Sequence, residues 1–121
     1  MPTIATCHCK GTRLEVDDFP KAVMRCTCSN CSKRGGLWAY YPQASVRIVS
    51  DRDKATYQWS WKIGKFNFCA VCGNSTYNET PDFSSGKPDF DNPMIVINAR
   101  LFDDVDVDAI PVEIIDGKNL W

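Results

Sequence analysis

Hydrophobic and polar positions alternate in short runs along this chain, and no stretch keeps a helical period for long. Thr12–Val16 alternates strictly, and residues 22–25, 46–49, 56–61 and 66–68 are short runs rich in β-branched and aromatic side chains, bounded by turn residues. Residues 94–97, Met-Ile-Val-Ile, form the most apolar run and predict a central strand; Val112–Ile115 predicts a last strand entering a turn at Asp116 and Gly117. Helix is expected only as single turns, one after Cys31 and one around Val107–Ala109 ahead of Pro111. Residues 81–93 hold Pro81, Gly86, Pro88 and Pro93 and predict a long loop. The expected fold class is therefore mainly β, with short helical turns.

Composition narrows the class. With 121 residues the chain fits one small domain, residues 1–121, whose modest core would gain from a structural metal. No apolar run approaches the roughly 18 residues that cross a bilayer. Fourteen basic residues against fifteen acidic ones leave no electrostatic footprint for nucleic acid. The N-terminal Met1-Pro2-Thr3-Ile4 carries no secretory pattern, so a reducing cytoplasm is the expected setting.

The seven cysteines carry the chemistry, in three tight groups: Cys7-x-Cys9, Cys26-x-Cys28-x-x-Cys31 and Cys69-x-x-Cys72. A disulfide framework fits poorly, because the count is odd and the setting reducing. A redox pair would open a helix, whereas Cys72 runs into the turn Gly73-Asn74-Ser75, as in a zinc knuckle; iron–sulfur ligation is a minor alternative. Cys7 and Cys9 close the first strand and Lys10-Gly11 turns the chain into the second, so this pair and Cys69/Cys72 are two chelating corners that together make a four-sulfur site. Cys26, Cys28 and Cys31 lie within six residues and can wrap one face of a second ion. Spacing alone also admits Cys26 and Cys28 joining another pair. Four thiolates close a structural zinc site, while three leave a position for water or substrate.

Cys7-His8-Cys9, Cys26-Thr27-Cys28-Ser29-Asn30-Cys31 and Phe68-Cys69-Ala70-Val71-Cys72-Gly73, taken together, resemble the glutathione-dependent formaldehyde-activating enzyme family, whose domain also occurs in centromere protein V. The likeness runs from about Thr3 to the ending at residues 116–121. It implies a β-tent fold of antiparallel sheets with two zinc ions, the four-sulfur one structural and the three-sulfur one active. It further implies a carbon–sulfur lyase type of activity, joining formaldehyde to glutathione as S-hydroxymethylglutathione or reversing that step. Lys10 departs from the family pattern, where glycine is usual after the first cluster. Centromere protein V suggests the alternative of a non-catalytic, zinc-braced β module that binds a partner.

Three thiolates blunt the ability of zinc to acidify water, which disfavours hydrolysis. The same soft ion suits an incoming thiol, so the partners expected are a small thiol such as glutathione and a small aldehyde. Other residues read more plainly. His8 is expected to point away from the metal its neighbours share, in a surface or packing role, and Ser29, Asn30 and Ser32 are ordinary turn residues or else donors to sulfur. Gly35-Gly36 ends a helical turn or admits a ligand. Lys33-Arg34 is solvated surface or meets an anionic ligand. Trp38, Tyr40, Tyr41, Trp59 and Trp61 are expected in the core, with one or two lining a pocket. Lys65 and Asn67 lie on a stretch that approaches the open metal. The acidic run Asp103-Asp104-x-Asp106-x-Asp108 lacks the glycine and glutamate of a calcium loop and is expected to be solvated.

Overall fold

The computed structural model describes residues 2–58, 64–82, 85–116 and 118. The elements of the described residues follow in the order β1 (Thr3–Thr6), β2 (Thr12–Val16), β3 (Val23–Cys26), α1 (Ser29–Arg34), β4 (Trp38–Pro42), β5 (Val46–Asp51), β6 (Lys54–Tyr57), β7 (Lys65–Cys69), β8 (Ser75–Asp82), β9 (Asp89–Asn98) and β10 (Val112–Ile115). Single 3₁₀ turns occupy Gln43–Ser45, Ala99–Leu101 and Val107–Ala109. The architecture is mainly β, as the alternation predicts.

Two sheets form. The smaller has strand order β1-β2-β5 and the larger β10-β3-β4-β9-β8-β7-β6. All pairings are antiparallel except β10 with β3, which runs parallel from Val112 opposite Val23 to Ile115 opposite Cys26. Mixed sheets are common among large sheets, and the long connection from β9 to β10 lets the last strand enter parallel to β3.

Alternation places the core between the sheets. Leu14 and Val16 of β2 and Ala5 of β1 join Ala39, Tyr77, Ile95 and Ile97 of the large sheet in one buried cluster. Val96 and Asn98, on the other face of β9, are buried too. A strand covered on both faces needs an unbroken apolar run, and this is the reason that 94–97 read as central.

Several expectations change. The loop expected over 81–93 is mostly strand: β8 continues to Asp82, β9 begins at Asp89, and Pro81 pairs with Pro93. Two facing prolines fit an antiparallel ladder where their missing N–H groups would have pointed away from each other. Thus proline content marked a loop where the chain uses it inside a hairpin. Ser75, read as part of a turn, begins β8, and β4 is a strand the apolar pattern did not single out. The run 56–61 begins earlier, at Lys54, and its residues 59–61 lie outside the described residues, as do Gly117 and 119–121 of the ending. The helical turn expected after Cys31 starts ahead of it, at Ser29.

Candidate metal centres

Each cysteine group sits where a strand gives way to a turn. β1 ends at Thr6, and Cys7 to Lys10 form a tight turn in which the Lys10 N–H donates to the Cys7 carbonyl at 3.0 Å. Lys10 has φ 69°, a left-handed conformation that costs a non-glycine residue about 1 kcal/mol or more. Gly11 follows because a Cβ there would lie 2.9 Å from Asp53 Oδ2 and 3.4 Å from Cys9 Sγ. The second corner repeats the device after β7: the Gly73 N–H donates to the Cys69 carbonyl at 2.8 Å, with Gly73 at φ 80°. His8 is exposed in the first turn rather than on a strand, and its N–H donates to Asn74 Oδ1 at 2.8 Å.

These corners bring Cys7, Cys9, Cys69 and Cys72 together, with every pair of sulfurs within 4.8 Å. Cys7 and Cys9 Sγ are 3.6 Å apart, and Cys9 and Cys69 Sγ 3.5 Å. A tetrahedron with zinc–sulfur bonds of about 2.3 Å has edges of roughly 3.8 Å, so the spacing fits a four-coordinate thiophilic ion. The Thr12 N–H donates to Cys7 Sγ at 3.3 Å. Burial pushes the Cys7 and Cys72 thiols up, but hydrogen bonds together outweigh it, from the Thr12 amide and the Cys9 thiol at Cys7 and from the Asn74 and Cys9 amides with the Cys69 and Cys7 thiols at Cys72. Both end below their ordinary value, Cys72 at about 6. At Cys9 the Gly11 amide pulls down, while the Cys69 thiol and burial lift the net value to about 11.

The second group is built from β3 and α1. Cys26 ends β3, and Cys28 is the N-cap of α1, its Sγ accepting the Cys31 N–H at 3.3 Å. Gly35, left-handed, closes the helix. Cys26, Cys28 and Cys31 hold their sulfurs within 4.8 Å of one another, and among the described residues no histidine, aspartate or glutamate joins them. Burial, followed by the neighbouring Cys28 thiol at Cys26 and the Cys26 charge at Cys31, drives both thiols up. Cys26 and Cys31 resist ionising without a cation, as Cys9 does in the four-sulfur group, and neither is lowered as Cys7 and Cys72 are there. Both groups can hold a metal ion, and the seven cysteines divide four and three, the simplest partition of their spacing.

The surroundings sort the other candidates. Ser29 is exposed and Asn30 half-buried, while Ser32 Oγ donates to the Ser29 carbonyl at 3.3 Å. Lys33 is exposed but Arg34 turns inward, so the basic pair splits. Arg34 Nε donates to Ser75 Oγ at 3.1 Å and Nη2 to the Asn67 carbonyl at 3.2 Å. A groove of about 610 Å³ runs past Arg34 and Arg100 to Cys7 and Cys72. Asn67, fully buried, takes a hydrogen bond from Thr56 Oγ1 at 2.7 Å and gives one to Glu79 Oε2 at 2.9 Å; it reaches the helix of the three-sulfur group through Arg34. Lys65 is exposed.

Among the aromatics, Trp38 is buried and Tyr41 half-buried, its hydroxyl donating to the Asp18 carbonyl. Tyr40 departs from the core expectation: it is 46% exposed, on the face of the large sheet opposite the core. Its hydroxyl is nevertheless shielded, and burial, followed by the charges of Cys31, Cys26 and Cys28, pushes its phenol up to about 12. Tyr40 is therefore a protonated donor near the three-sulfur group. Trp59 and Trp61 lie outside the described residues. Asp103 accepts from Thr6 and pairs with Lys10 at 3.8 Å, and Asp106 caps the turn at Val107–Ala109. Asn74, which sequence reasoning passed over as a turn residue, bridges the two corners; its place directly after Cys-x-x-Cys-Gly was the available signal.

The family model described as glutathione-dependent formaldehyde-activating enzyme matches residues 2–114. The chain belongs to that family. A crystal structure of a Rhodobacter sphaeroides protein is similar, with 25% identity and a TM-score of 0.70, over 91% of this chain and 99% of that one. No curated protein matches the chain. For a member of the glutathione-dependent formaldehyde-activating enzyme family, the mainly β fold and both cysteine groups are the features expected from the resemblance. No helix among the described residues is long and apolar enough to cross a membrane.

Proposed function

We propose that residues 1–121 form one zinc-binding domain that makes or breaks a thiol–aldehyde adduct, of the S-hydroxymethylglutathione type, at Cys26, Cys28 and Cys31. The observation that carries this reading is the four-and-three division: one sulfur group is complete in itself, and the other offers three sulfurs and no fourth ligand among the described residues. Cys7, Cys9, Cys69 and Cys72 would hold the structural zinc, and Cys26, Cys28 and Cys31 a second one.

Zinc, when bound by the three cysteines, supplies a soft position that displaces the proton of a thiol and keeps its sulfur nucleophilic. The chain's own residues do the rest. Cys28 fixes the geometry twice over, as ligand and as helix cap, so the three sulfurs are positioned by the same turn that starts α1. Tyr40 holds its proton at neutral pH and, as a hydrogen-bond donor and not as an acid, would steady negative charge on the aldehyde oxygen, which takes its proton from water. In the forward direction the S–C bond forms, the carbonyl π pair moves to oxygen, and oxygen takes a proton in place of the one the thiol lost. Nothing is oxidised or reduced.

The test is the rate at which glutathione and formaldehyde exchange with their adduct, followed by NMR exchange spectroscopy with protein loaded with two zinc ions. Catalysis that Cys28→Ser abolishes and Tyr40→Phe slows supports the reading. Exchange at the uncatalysed rate with the fully loaded protein sinks it, and leaves the non-catalytic module.

A further inference from the structure

Among the described residues Arg34 is a cation with no carboxylate to meet. No aspartate or glutamate oxygen among the described residues lies within ion-pairing distance of its guanidinium. Nε and Nη2 are spent on Ser75 Oγ and the Asn67 carbonyl, both neutral. The Trp38 and Phe66 ring centroids lie 5.9 and 5.5 Å from Cζ. Nη1 is buried and has no partner. A guanidinium drawn into such a setting is costly unless an anion faces it.

The anion available is a cysteine sulfur. Arg34 stands three residues after Cys31 on α1, a spacing that puts both on one side of the helix. Burial works against the Arg34 charge, and the charge of Cys31 works for it. Nearby donors share the imbalance. Asn30 Nδ2, on α1, and Trp38 Nε1, under Arg34, are buried without partners, against a single unpartnered buried acceptor, Asn78 Oδ1. Trp38, Tyr40 and Asn78 share the large-sheet face away from the core, since Tyr40 and Asn78 both pair with Val96 and Trp38 is two residues from Tyr40. This environment is rich in donors and wants negative charge.

We propose that Arg34 is the counter-cation of the Cys26/Cys28/Cys31 centre, and that it makes the vacant position there prefer an anionic ligand, a thiolate, over a neutral one. The inference rests on the reading that this centre holds a metal. A divalent ion with three thiolates carries one net negative charge, and a fourth thiolate makes it two; the fixed positive charge of Arg34 offsets the increment. An uncharged ligand gains nothing from it.

The experiment uses the full chain loaded with two cobalt(II) ions, whose absorption reports each site. Wild type, Arg34→Gln and Arg34→Lys are compared for cobalt affinity at the three-sulfur centre, by chelator competition, and for binding of 2-mercaptoethanol and of imidazole. Arg34→Gln is expected to weaken both cobalt and thiol binding about tenfold and to leave imidazole within about twofold, with Arg34→Lys restoring most of the loss. Wild-type values in Arg34→Gln for both cobalt and thiol overturn the proposal, as does an equal loss for thiol and imidazole, which would mark a packing effect. The spectrum of the four-sulfur site reports folding. Should Arg34→Gln not fold, Arg34→Lys decides: a kept preference for thiol over imidazole supports the charge, and a lost one overturns it. If wild type binds no thiol at all, the proposed function fails, and the cobalt affinities still decide the role of Arg34.

Discussion

The side-chain oxygen of Asn74 accepts the main-chain N–H of His8 at 2.8 Å, so the residue just past one cysteine corner grips the middle of the other. The same oxygen lies 3.6 Å from Cys72 Sγ. Asn74→Ala removes this clamp and should cost about 1–2 kcal/mol of stability. Asn74→Asp should cost more with metal bound, because a carboxylate would sit beside four thiolates. Chemical unfolding of both variants with zinc present checks the order.

Replacing ligands should separate the two sites. Cys69→Ser removes one corner of the closed site, which joins residues some sixty positions apart, and the expected result is loss of folded protein. Structural zinc contributes on the order of 10 kcal/mol, more than a domain of this size has to spare. Cys28→Ser should keep the fold, since serine caps α1 as well as cysteine does, and lose only the second ion. Zinc content and thermal unfolding measured side by side decide this. Equal damage from the two changes would refute a division of labour.

Lys10 occupies a left-handed position at φ 69° while its ammonium reaches Asp103 at 3.8 Å on an exposed surface. Glycine there relieves about 1 kcal/mol of backbone cost and loses an ion pair worth less. Lys10→Gly should therefore raise the unfolding midpoint slightly, and Lys10→Val should lower it. A reversed order would show that the ion pair outweighs the backbone.

Acid should empty the sites in sequence. Metal binding requires thiolates, and a thiol held above its ordinary value binds its proton more firmly, so protons displace the metal at a higher pH. Cys26 and Cys31 are shifted up; in the four-sulfur group Cys9 is also shifted up, to about 11, but Cys7 and Cys72 are shifted down, Cys72 to about 6. As pH falls from neutral, the ion at the three-sulfur group should leave first, and the four-sulfur ion, held by one more thiolate and by two that ionise readily, should persist to lower pH. Zinc release read with an indicator dye would show two steps; one merged step, or the reverse order, contradicts the assignment.

The metal groups were legible because chelation is local: Cys7-x-Cys9, Cys69-x-x-Cys72 and the 26/28/31 trio each fix their own turn, whatever the sheets do. Central burial of 94–97 was legible for a similar reason, since an apolar run needs cover on both faces. The hairpin at 81–93 was not, because proline marks loops on average and only the register shows that Pro81 and Pro93 face each other. Arg34 and Tyr40 were hidden by the same limit. Which way a basic or aromatic side chain turns depends on strands far away in sequence: Asn67 and Ser75 for Arg34, and β9 for Tyr40.

Asn67 deserves a test of its own because its side chain and carbonyl join four elements of the structure. Asn67→Leu would remove the hydrogen bonds that tie exposed Thr56 and half-buried Glu79 to the buried Asn67 side chain, and should destabilise by about 1–3 kcal/mol. Urea unfolding of the zinc-loaded variant measures it; a loss under about half a kcal/mol would mean that the network carries little of the fold.

The parallel strand β10 lies along β3 up to Cys26, and the Thr27 N–H beyond it donates to the Ile115 carbonyl at 3.0 Å. On the ribosome this has a directional result. The four-sulfur group has all its cysteines once residue 72 has emerged, whereas the strand that presents Cys26 waits for its outer neighbour until residues 112–115 follow. A nascent chain could thus clasp one ion well before the bed for another is complete.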